Sequence, residues 1–479
     1  MKIKLFSRLL LLQALILSIC LSVACNTTTH AKPYFAVQPY VQLGYKYRGD
    51  NLTVVWLSDD AKAANLVFEY KTATTWKTAD KISKNSVNGH PDLQVFSAEM
   101  AGLPPSTKVS YRIKKDGKEI FLSEVRTPPA HGKPVDFAVC GDIGQGTVGE
   151  EELAALWQKK APPMVMITGD IVYPIGTIHF YRENFFPYLN SESLRPRGAP
   201  LLRSTLTVGI AGNHDLAEGG MIDARNFNQS PDSLSYYVLW KQPLNGPLQG
   251  EGGYTHPVGD KLRIDDFLKA AADAYPRMSN FSFDYGDCHF LVLDGNSFMN
   301  WMDPNLRKWV ETDLKQSKQT WKFVGFHQPG FNSDFAHREE QRMRHLSDIF
   351  ERTGVDVVFS GHSHSYQRSY PLHFKEVNAA TTDSEAQAGY VYGSFKLDKS
   401  YDGQKNCKAD GVIYVVSGAG GAHLSPAEME SMPGHWLPFT KKFDSRNHSM
   451  TFCHAEGKRL SIEQVDVNGN VIDSFAIEK

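Results

Sequence analysis

An excess of basic charge is the first thing this sequence lacks: 51 lysines and arginines stand against 53 aspartates and glutamates, a formal net charge of −2. Without a basic field there is no electrostatic footprint for a polyanion, and no nucleic-acid partner is required. Cysteine is sparse too, six in 479 residues, and none are spaced as a zinc cluster. Cys140 and Cys288 lie in apolar, strand-like runs, where small buried hydrophobes are the ordinary reading. Cys407 and Cys453 sit in more polar stretches and could pair in an oxidising compartment. Internal repeats and strong low-complexity tracts are also missing. What is present is ordinary for a soluble globular protein, 41% apolar and 22% charged residues, with length for two or three domains.

Lys2, Lys4 and Arg8 precede an apolar run from Leu9 to Val23, with small or polar residues after it. A charged start, an apolar run and a small residue before a cut describe an export signal over residues 1–24. Leu21-Ser22-Val23-Ala24-Cys25 resembles a bacterial lipoprotein processing site with Cys25 as the lipidated residue, and residues 25–33 would then be a tether. Ordinary cleavage near Ala24 or Ala31 and an uncleaved anchor are the alternatives. The expected address is that of an exported protein, either a cell-envelope lipoprotein or a periplasmic or secreted one. A lipid on Cys25 would be its tie to a membrane. Asn26, Asn51 and Asn280 each open an Asn-x-Ser/Thr triplet, a glycan acceptor in a eukaryotic source.

From residue 34 to 130 short alternating strands are separated by turns. Leu52–Leu57, Leu66–Tyr70 and Val109–Ile113 are runs of this kind, rich in β-branched and aromatic residues. They predict an antiparallel β-sandwich. Pro128, Pro129 and Gly132 form a break. Over 134–479 the texture becomes that of an α/β domain, with nearly continuous apolar strands at Val135–Cys140, Pro163–Thr168, Thr205–Ile210, Phe290–Leu293, Trp321–Gly325 and Val355–Phe359. Helices are predicted near Glu150–Lys160, over Pro304–Gln316 behind Asp303, and over Glu339–Thr353 ahead of Gly354. Insertions fall near 216–276, read as a lid over the site, and near 378–410. Alternating strands with a turn at Asn468-Gly469-Asn470 end the chain.

Five polar clusters each follow an apolar strand: Gly141-Asp142-Ile143-Gly144, Gly169-Asp170 through Tyr173, Gly212-Asn213-His214-Asp215, Val324 through His327, and Gly361-His362-Ser363-His364. Sites in open α/β sheets form beyond the carboxyl ends of strands, so these clusters are expected to converge. Carboxylate, carboxamide oxygen and imidazole together suit first-row metals. A bridging carboxylate can hold two cations in the geometry of in-line phosphoryl displacement. Taken singly each cluster is weak, since an aspartate at a strand end is commonly only a turn or cap.

The order Asp-x-Gly, Gly-Asp-x-x-Tyr, Gly-Asn-His-Asp, Val-x-x-His, Gly-His-x-His resembles that of the purple acid phosphatases, members of the calcineurin-like metallophosphoesterases. GHSHSYQRSYP, the HQPGF segment and GVIYVVSGAGGA resemble the same family, and AGLPPSTKVSYRI followed by VRTPPA is similar to the late strands of fibronectin type III-like modules. The resemblance implies a four-layer β-sandwich flanked by helices behind an N-terminal all-β fibronectin type III-like domain. It implies two metal ions. Asp142, Asp170, Tyr173 and His364 would hold the first, and Asp170, Asn213, His327 and His362 the second, with Asp170 bridging. Tyr173, as a tyrosinate, would make the first ion iron(III), beside zinc(II), iron(II) or manganese(II); the alternative is a buried phenol packed against the lid.

By that resemblance the substrate is a small phosphate ester, attacked by a metal-bound hydroxide opposite its leaving alcohol. His214 would contact the phosphate with Asp215 orienting it, and His337 would protonate the leaving group. Arg368 would neutralise phosphate charge or pair within the fold, the second reading being preferred, and His289, His345, His373, His423, His435, His448 and His454 are read as structural. Phosphomonoester hydrolysis leads. Phosphodiester or nucleotide hydrolysis on the same centre is the first alternative, and a surface binding protein with a decayed site the second.

Overall fold

The computed structural model describes residues 34–59, 65–195, 198–216, 226–247, 257–379 and 389–479. The expectations for the export signal, Cys25 and the tether lie outside these residues. Phe35–Lys479 forms one compact unit.

Eight strands between Val37 and Arg126 form two antiparallel four-stranded sheets. One runs Val37–Gln42, Asn51–Ser58, His90–Ala101, Ile82–Val87; the other runs Thr75–Thr78, Leu66–Thr72, Lys108–Lys115, Lys118–Arg126. Alternation does its expected work: in Lys108–Lys115, Val109, Tyr111 and Ile113 turn inward while the residues between them stay partly exposed. Trp56 from the first sheet stacks on Phe68 of the second at 6.2 Å, which closes the sandwich. Asn51 and Asn280 are buried, so neither can carry the glycan that its triplet suggests.

Two further sheets make the second half. The six-stranded sheet runs Leu206–Gly209, Met164–Ile167, Val135–Cys140, Ser449–Glu456, Arg459–Asp466, Val471–Glu478, so the C-terminal strands extend the sheet that the first apolar strand opens. The seven-stranded sheet runs Phe281–Tyr285, Cys288–Val292, Trp321–Gly325, Val357–Ser360, Ile413–Ser417, Tyr366–Ser369, Thr440–Asp444. The sheets pack face to face through aromatics: Phe137 meets Phe290 and Phe323 at 5.1 Å and Phe359 at 6.2 Å. Helix Val148–Lys160 buries Leu153, Leu156 and Trp157 in the cluster that holds Ala138, Val165 and Ile167. Pro304–Gln316 and Ser347–Thr353 pack on the second sheet through Leu306, Val310, Leu314, Ile349 and Phe350. The four layers are helix, sheet, sheet, helix, as expected for strands buried on both faces.

Three expectations change. The helix predicted over Glu339–Thr353 is a 3-10 segment, Arg342–Leu346, followed by the α-helix Ser347–Thr353. Glu339 and Glu340 stay outside it because the Glu340 side chain is drawn to two histidines of the site. The described part of the 216–276 insertion is not a lid. Its helix Lys261–Ala271 leans on the N-terminal sandwich, where Gly89 N–H donates to Asp266 at 3.0 Å and Asn88 donates to the Pro231 carbonyl at 2.8 Å. In the 378–410 insertion, Val391–Leu397 pairs antiparallel with Leu372–Ala379 as a ribbon. Cys407 and Cys453 are free and buried.

Candidate metal centre

All five site loops leave the carboxyl ends of parallel strands. Val135–Cys140 and Leu206–Gly209 flank Met164–Ile167 in parallel in one sheet, and Trp321–Gly325 lies parallel to Val357–Ser360 in the other. The loops therefore meet at one edge of the stacked sheets. Two glycines let them close up. A Cβ on Gly212 would lie 2.2 Å from the Asp170 carboxylate, and one on Gly361 2.5 Å from Asp142 Oδ2. Asp142, Asp170 and His362 take φ of 57°, 45° and 67°, a left-handed backbone rare outside glycine and concentrated at working sites.

Asp170 stands at the middle, with its two oxygens facing different groups. Its Oδ2 is 3.0 Å from the Tyr173 hydroxyl, which is also 3.0 Å from Asp142 Oδ1 and 3.1 Å from His364 Nε2. Its Oδ1 is 3.2 Å from His327 Nε2, which in turn lies 3.1 Å from Asn213 Oδ1 and 3.2 Å from His362 Nδ1. The structure thus gathers all seven residues into two adjoining groups that share one carboxylate.

Each imidazole uses its outer nitrogen to fix the inner one. His327 Nδ1 donates to the Thr168 carbonyl at 2.8 Å, His364 Nδ1 to the His423 carbonyl at 2.5 Å, and His362 Nε2 to Glu340 at 3.0 Å. Held this way, His327 Nε2 faces the Asp170 and Asn213 oxygens, His364 Nε2 faces Asp142 Oδ1 and the Tyr173 hydroxyl, and His362 Nδ1 faces His327 Nε2. Carboxylate, carboxamide, phenol and imidazole atoms gathered at about 3 Å around one shared carboxylate make a donor set that fits a pair of metal ions. Proton affinities carry the same message. Burial pulls the His327 pKa down, yet the charges of Asp170 and Asp142 outweigh it and push it up to about 10; His364 rises to about 9 beside Asp142 despite its burial. Burial and the two carboxylates drive the Tyr173 phenol well above its ordinary value, so only a strong Lewis acid would make it a phenolate.

The remaining predicted residues divide. His214 borders the cavity, its ring 4.4 Å from the Tyr173 ring and its Nδ1 2.6 Å from the Pro174 carbonyl. Asp215 does not orient that imidazole. Its Oδ2 accepts the N–H groups of Gly212 and Ile171 at 2.8 and 3.1 Å, so it braces the loop backbone, and burial with the Asp170 charge raises its pKa to about 7. His337 lines the cavity, its ring 4.0 Å from that of His362 and its Nδ1 3.0 Å from Glu340 Oε1. Arg368 pairs with Asp473 through two bonds of 2.6 and 3.0 Å, away from the cavity lining.

Sequence reasoning missed Glu340, Asn296, Gln328 and Arg342, which line the same cavity. Burial would raise the Glu340 carboxyl, but hydrogen bonds from His337 and His362 hold it well below the usual carboxylate range. Gln328 Nε2 donates to Asn296 Oδ1 at 3.0 Å, and Asn296 Nδ2 donates to the Gly212 carbonyl at 3.3 Å, tying the His327 loop to the Asn213 loop. The i, i+3 spacing of His337 and Glu340 was the one available signal.

Residues 135–366 match the family model of the calcineurin-like phosphoesterases. Purple acid phosphatase 21 of Arabidopsis thaliana is 24% identical over 363 residues, 73% of this chain and 70% of that one. Among solved structures, purple acid phosphatase PPD1 from yellow lupin (Lupinus luteus) seeds superposes with a TM-score of 0.62 at 16% identity, covering 92% of this chain and 74% of that one. A structure of PhoD superposes at 0.56 with 13% identity, covering 94% of both. The site loops from Asp142 to His364 all fall inside the matched segment, so the chain carries a calcineurin-like phosphoesterase domain and is similar to the purple acid phosphatases.

Proposed function

We propose that this phosphoesterase is a phosphomonoesterase with a dinuclear metal centre, iron(III) beside Tyr173 and a divalent ion of zinc, iron or manganese in the neighbouring group. The family likeness implies two metals. The observation that carries the reading is the division of Asp170, one oxygen toward Tyr173 and the other toward His327. When bound, such ions supply Lewis acidity and lower the pKa of water. Asp142, Tyr173 and His364 would hold one with Asp170, and Asn213, His327 and His362 the other.

The protein's own groups act around that centre. His214, its Nδ1 held by the Pro174 carbonyl and its Nε2 3.9 Å from Asp170 Oδ2, borders the cavity, where as an imidazolium it would donate Nε2–H to a phosphate oxygen. His337, oriented by Glu340, stands at the cavity wall as the proton donor for the leaving alcohol. Glu340 keeps His362 in the tautomer whose Nδ1 carries the lone pair. The cavity, about 330 Å³, sits at the low end for small-molecule sites, which favours a compact ester over a polymer.

Elemental analysis of the purified protein with a visible spectrum, beside turnover of 4-nitrophenyl phosphate and bis(4-nitrophenyl) phosphate, tests the reading. Two equivalents of metal and a faster monoester are expected. A metal-free protein would end it, and a faster diester would move it to the phosphodiesterase alternative.

A further inference from the structure

Beside the two groups that share Asp170, the cavity wall carries a third gathering of donor atoms. His337, Glu340 and His362 each offer one ligating atom, and the three atoms lie within 4.8 Å of one another. Glu340 Oε1 is 3.0 Å from His337 Nδ1 and 3.0 Å from His362 Nε2, with the two rings 4.0 Å apart between centres. The backbone puts them there. Glu340 N–H donates to the His337 carbonyl at 3.1 Å, which turns both side chains to one side of the loop, and His337 N–H donates to the Asp334 carbonyl at 3.2 Å. His362 arrives from the other direction, on the loop after Val357–Ser360, and keeps its Nδ1 toward His327 at 3.2 Å.

These three atoms are spaced as ligands of one ion. Zinc bonds of about 2.0–2.1 Å in a tetrahedron set neighbouring ligand atoms about 3.3 Å apart, close to the two 3.0 Å distances here. Two histidines and a glutamate with the fourth position open are also a donor set that zinc takes at catalytic sites. Access is provided. The His337 and Glu340 side chains are each 32% exposed and line the cavity, while the buried His362 closes the inner side.

Resting on the phosphomonoesterase reading above, we propose that His337, Glu340 and His362 form an additional, inhibitory site for a divalent cation such as zinc. Binding exchanges two protons for one ion. The ion replaces the proton on His337 Nδ1 and the proton on His362 Nε2, both of which pass to solvent, and Glu340 Oε1 supplies the third bond. His362 then serves both groups, one nitrogen to each. His337 keeps a single N–H that it can give up only by becoming an anion, so it no longer serves the leaving alcohol.

The test starts from protein holding its two ions, with zinc in the divalent position, and adds zinc chloride. Equilibrium dialysis is expected to find a third equivalent bound. At saturation, turnover of glycerol 3-phosphate, whose alkoxide leaves poorly, is expected to fall about 100-fold, while 4-nitrophenyl phosphate slows by less than about threefold. His337→Ala is expected to bind no third equivalent, and added zinc should then leave its turnover of glycerol 3-phosphate where it was. Binding that stops at two equivalents in the unmodified protein overturns the proposal, as does a third equivalent that His337→Ala retains. Equal slowing of both esters would place the added zinc on the reacting phosphate or its centre, and overturns it as well. Failure of the phosphomonoesterase reading shows itself separately, as no release of phosphate from either ester before zinc is added.

Discussion

Glu340→Gln is the substitution that tests how the site is held together rather than what it contains. Glu340 Oε1 accepts from His362 Nε2 and His337 Nδ1, both at 3.0 Å, and the carboxylate is ionised. Glutamine keeps the shape and an accepting oxygen but removes the charge. A hydrogen bond to a charged partner contributes about 1.5–3 kcal/mol and a neutral one about 0.5–1.5, so the His362 contact weakens by about 1–1.5 kcal/mol. Loosening the support of a metal-binding imidazole typically lowers metal affinity by about 10- to 100-fold, and the estimate from the bond falls at the lower end, about tenfold. The loss should be one-sided. His362 belongs with Asn213 and His327, whereas His364 is fixed independently by the His423 carbonyl. Titrating the loaded protein with a chelator and counting the metal retained should show one equivalent leaving Glu340→Gln at about a tenth of the chelator needed for the unmodified protein, with the other unchanged. Identical release curves for the two proteins, or an equal shift of both ions, would refute the reasoning.

Asp170→Ala removes the shared carboxylate and is expected to empty both positions, with a loss of turnover at least as large as the ~10²–10³-fold that removal of a single transition-state donor brings; elemental analysis showing two retained ions contradicts it. Tyr173→Phe is expected to abolish visible absorption while some turnover persists, and an unchanged spectrum would show that the phenol is no ligand. His289 offers a control far from the metals: burial would lower its pKa, but hydrogen bonds to Asp284 and Asp313 at 2.7 and 2.8 Å raise it to about 9 from an ordinary 6.5. A raised value means stability fully present below about pH 6.5 and lost as pH climbs through 9, by about 3 kcal/mol at most. The melting-temperature gap between the unmodified protein and His289→Gln should therefore shrink from pH 6 to 10; a constant gap speaks against the ion pair.

Much of this fold was readable in the sequence because its central strands are buried on both faces. Met164–Ile167 and Val357–Phe359 show no alternation to decode, only apolar runs that end in Thr168-Gly169 and Ser360-Gly361. The ligand loops were readable for a related reason: each begins where such a strand stops, so the chemistry sits at a marked boundary. The residues that escaped lie elsewhere. Glu340 and Arg342 follow a loop rather than a strand, in a stretch whose helical periodicity concealed the break before Arg342. Asp215 was misassigned because sequence adjacency to His214 suggested a pair. The single turn Asn213–Leu216 instead directs its carboxylate back at the amides of Gly212 and Ile171.

That misassignment shows how the centre is built. Asp142, Asp170 and His362 hold a backbone that L-residues adopt reluctantly, at about 1–3 kcal/mol each, and something must keep it from relaxing. The amides around them do so. His214 N–H donates to Asp170 Oδ1 at 2.9 Å, His362 N–H donates to Asp142 Oδ2 at 2.9 Å, and the buried Asp215 clamps the loops carrying Asp170 and Asn213. Carboxylates that accept backbone N–H groups are aimed before any cation arrives. Asp215→Asn keeps the shape but places an N–H₂ or a weaker oxygen where two amides converge, so it should loosen both loops together. Reduced retention of both ions, with His214 chemically intact, is the outcome that separates a loop brace from a partner of the imidazole; a defect confined to substrate binding, with metal content unchanged, would restore the pairing that sequence adjacency suggested.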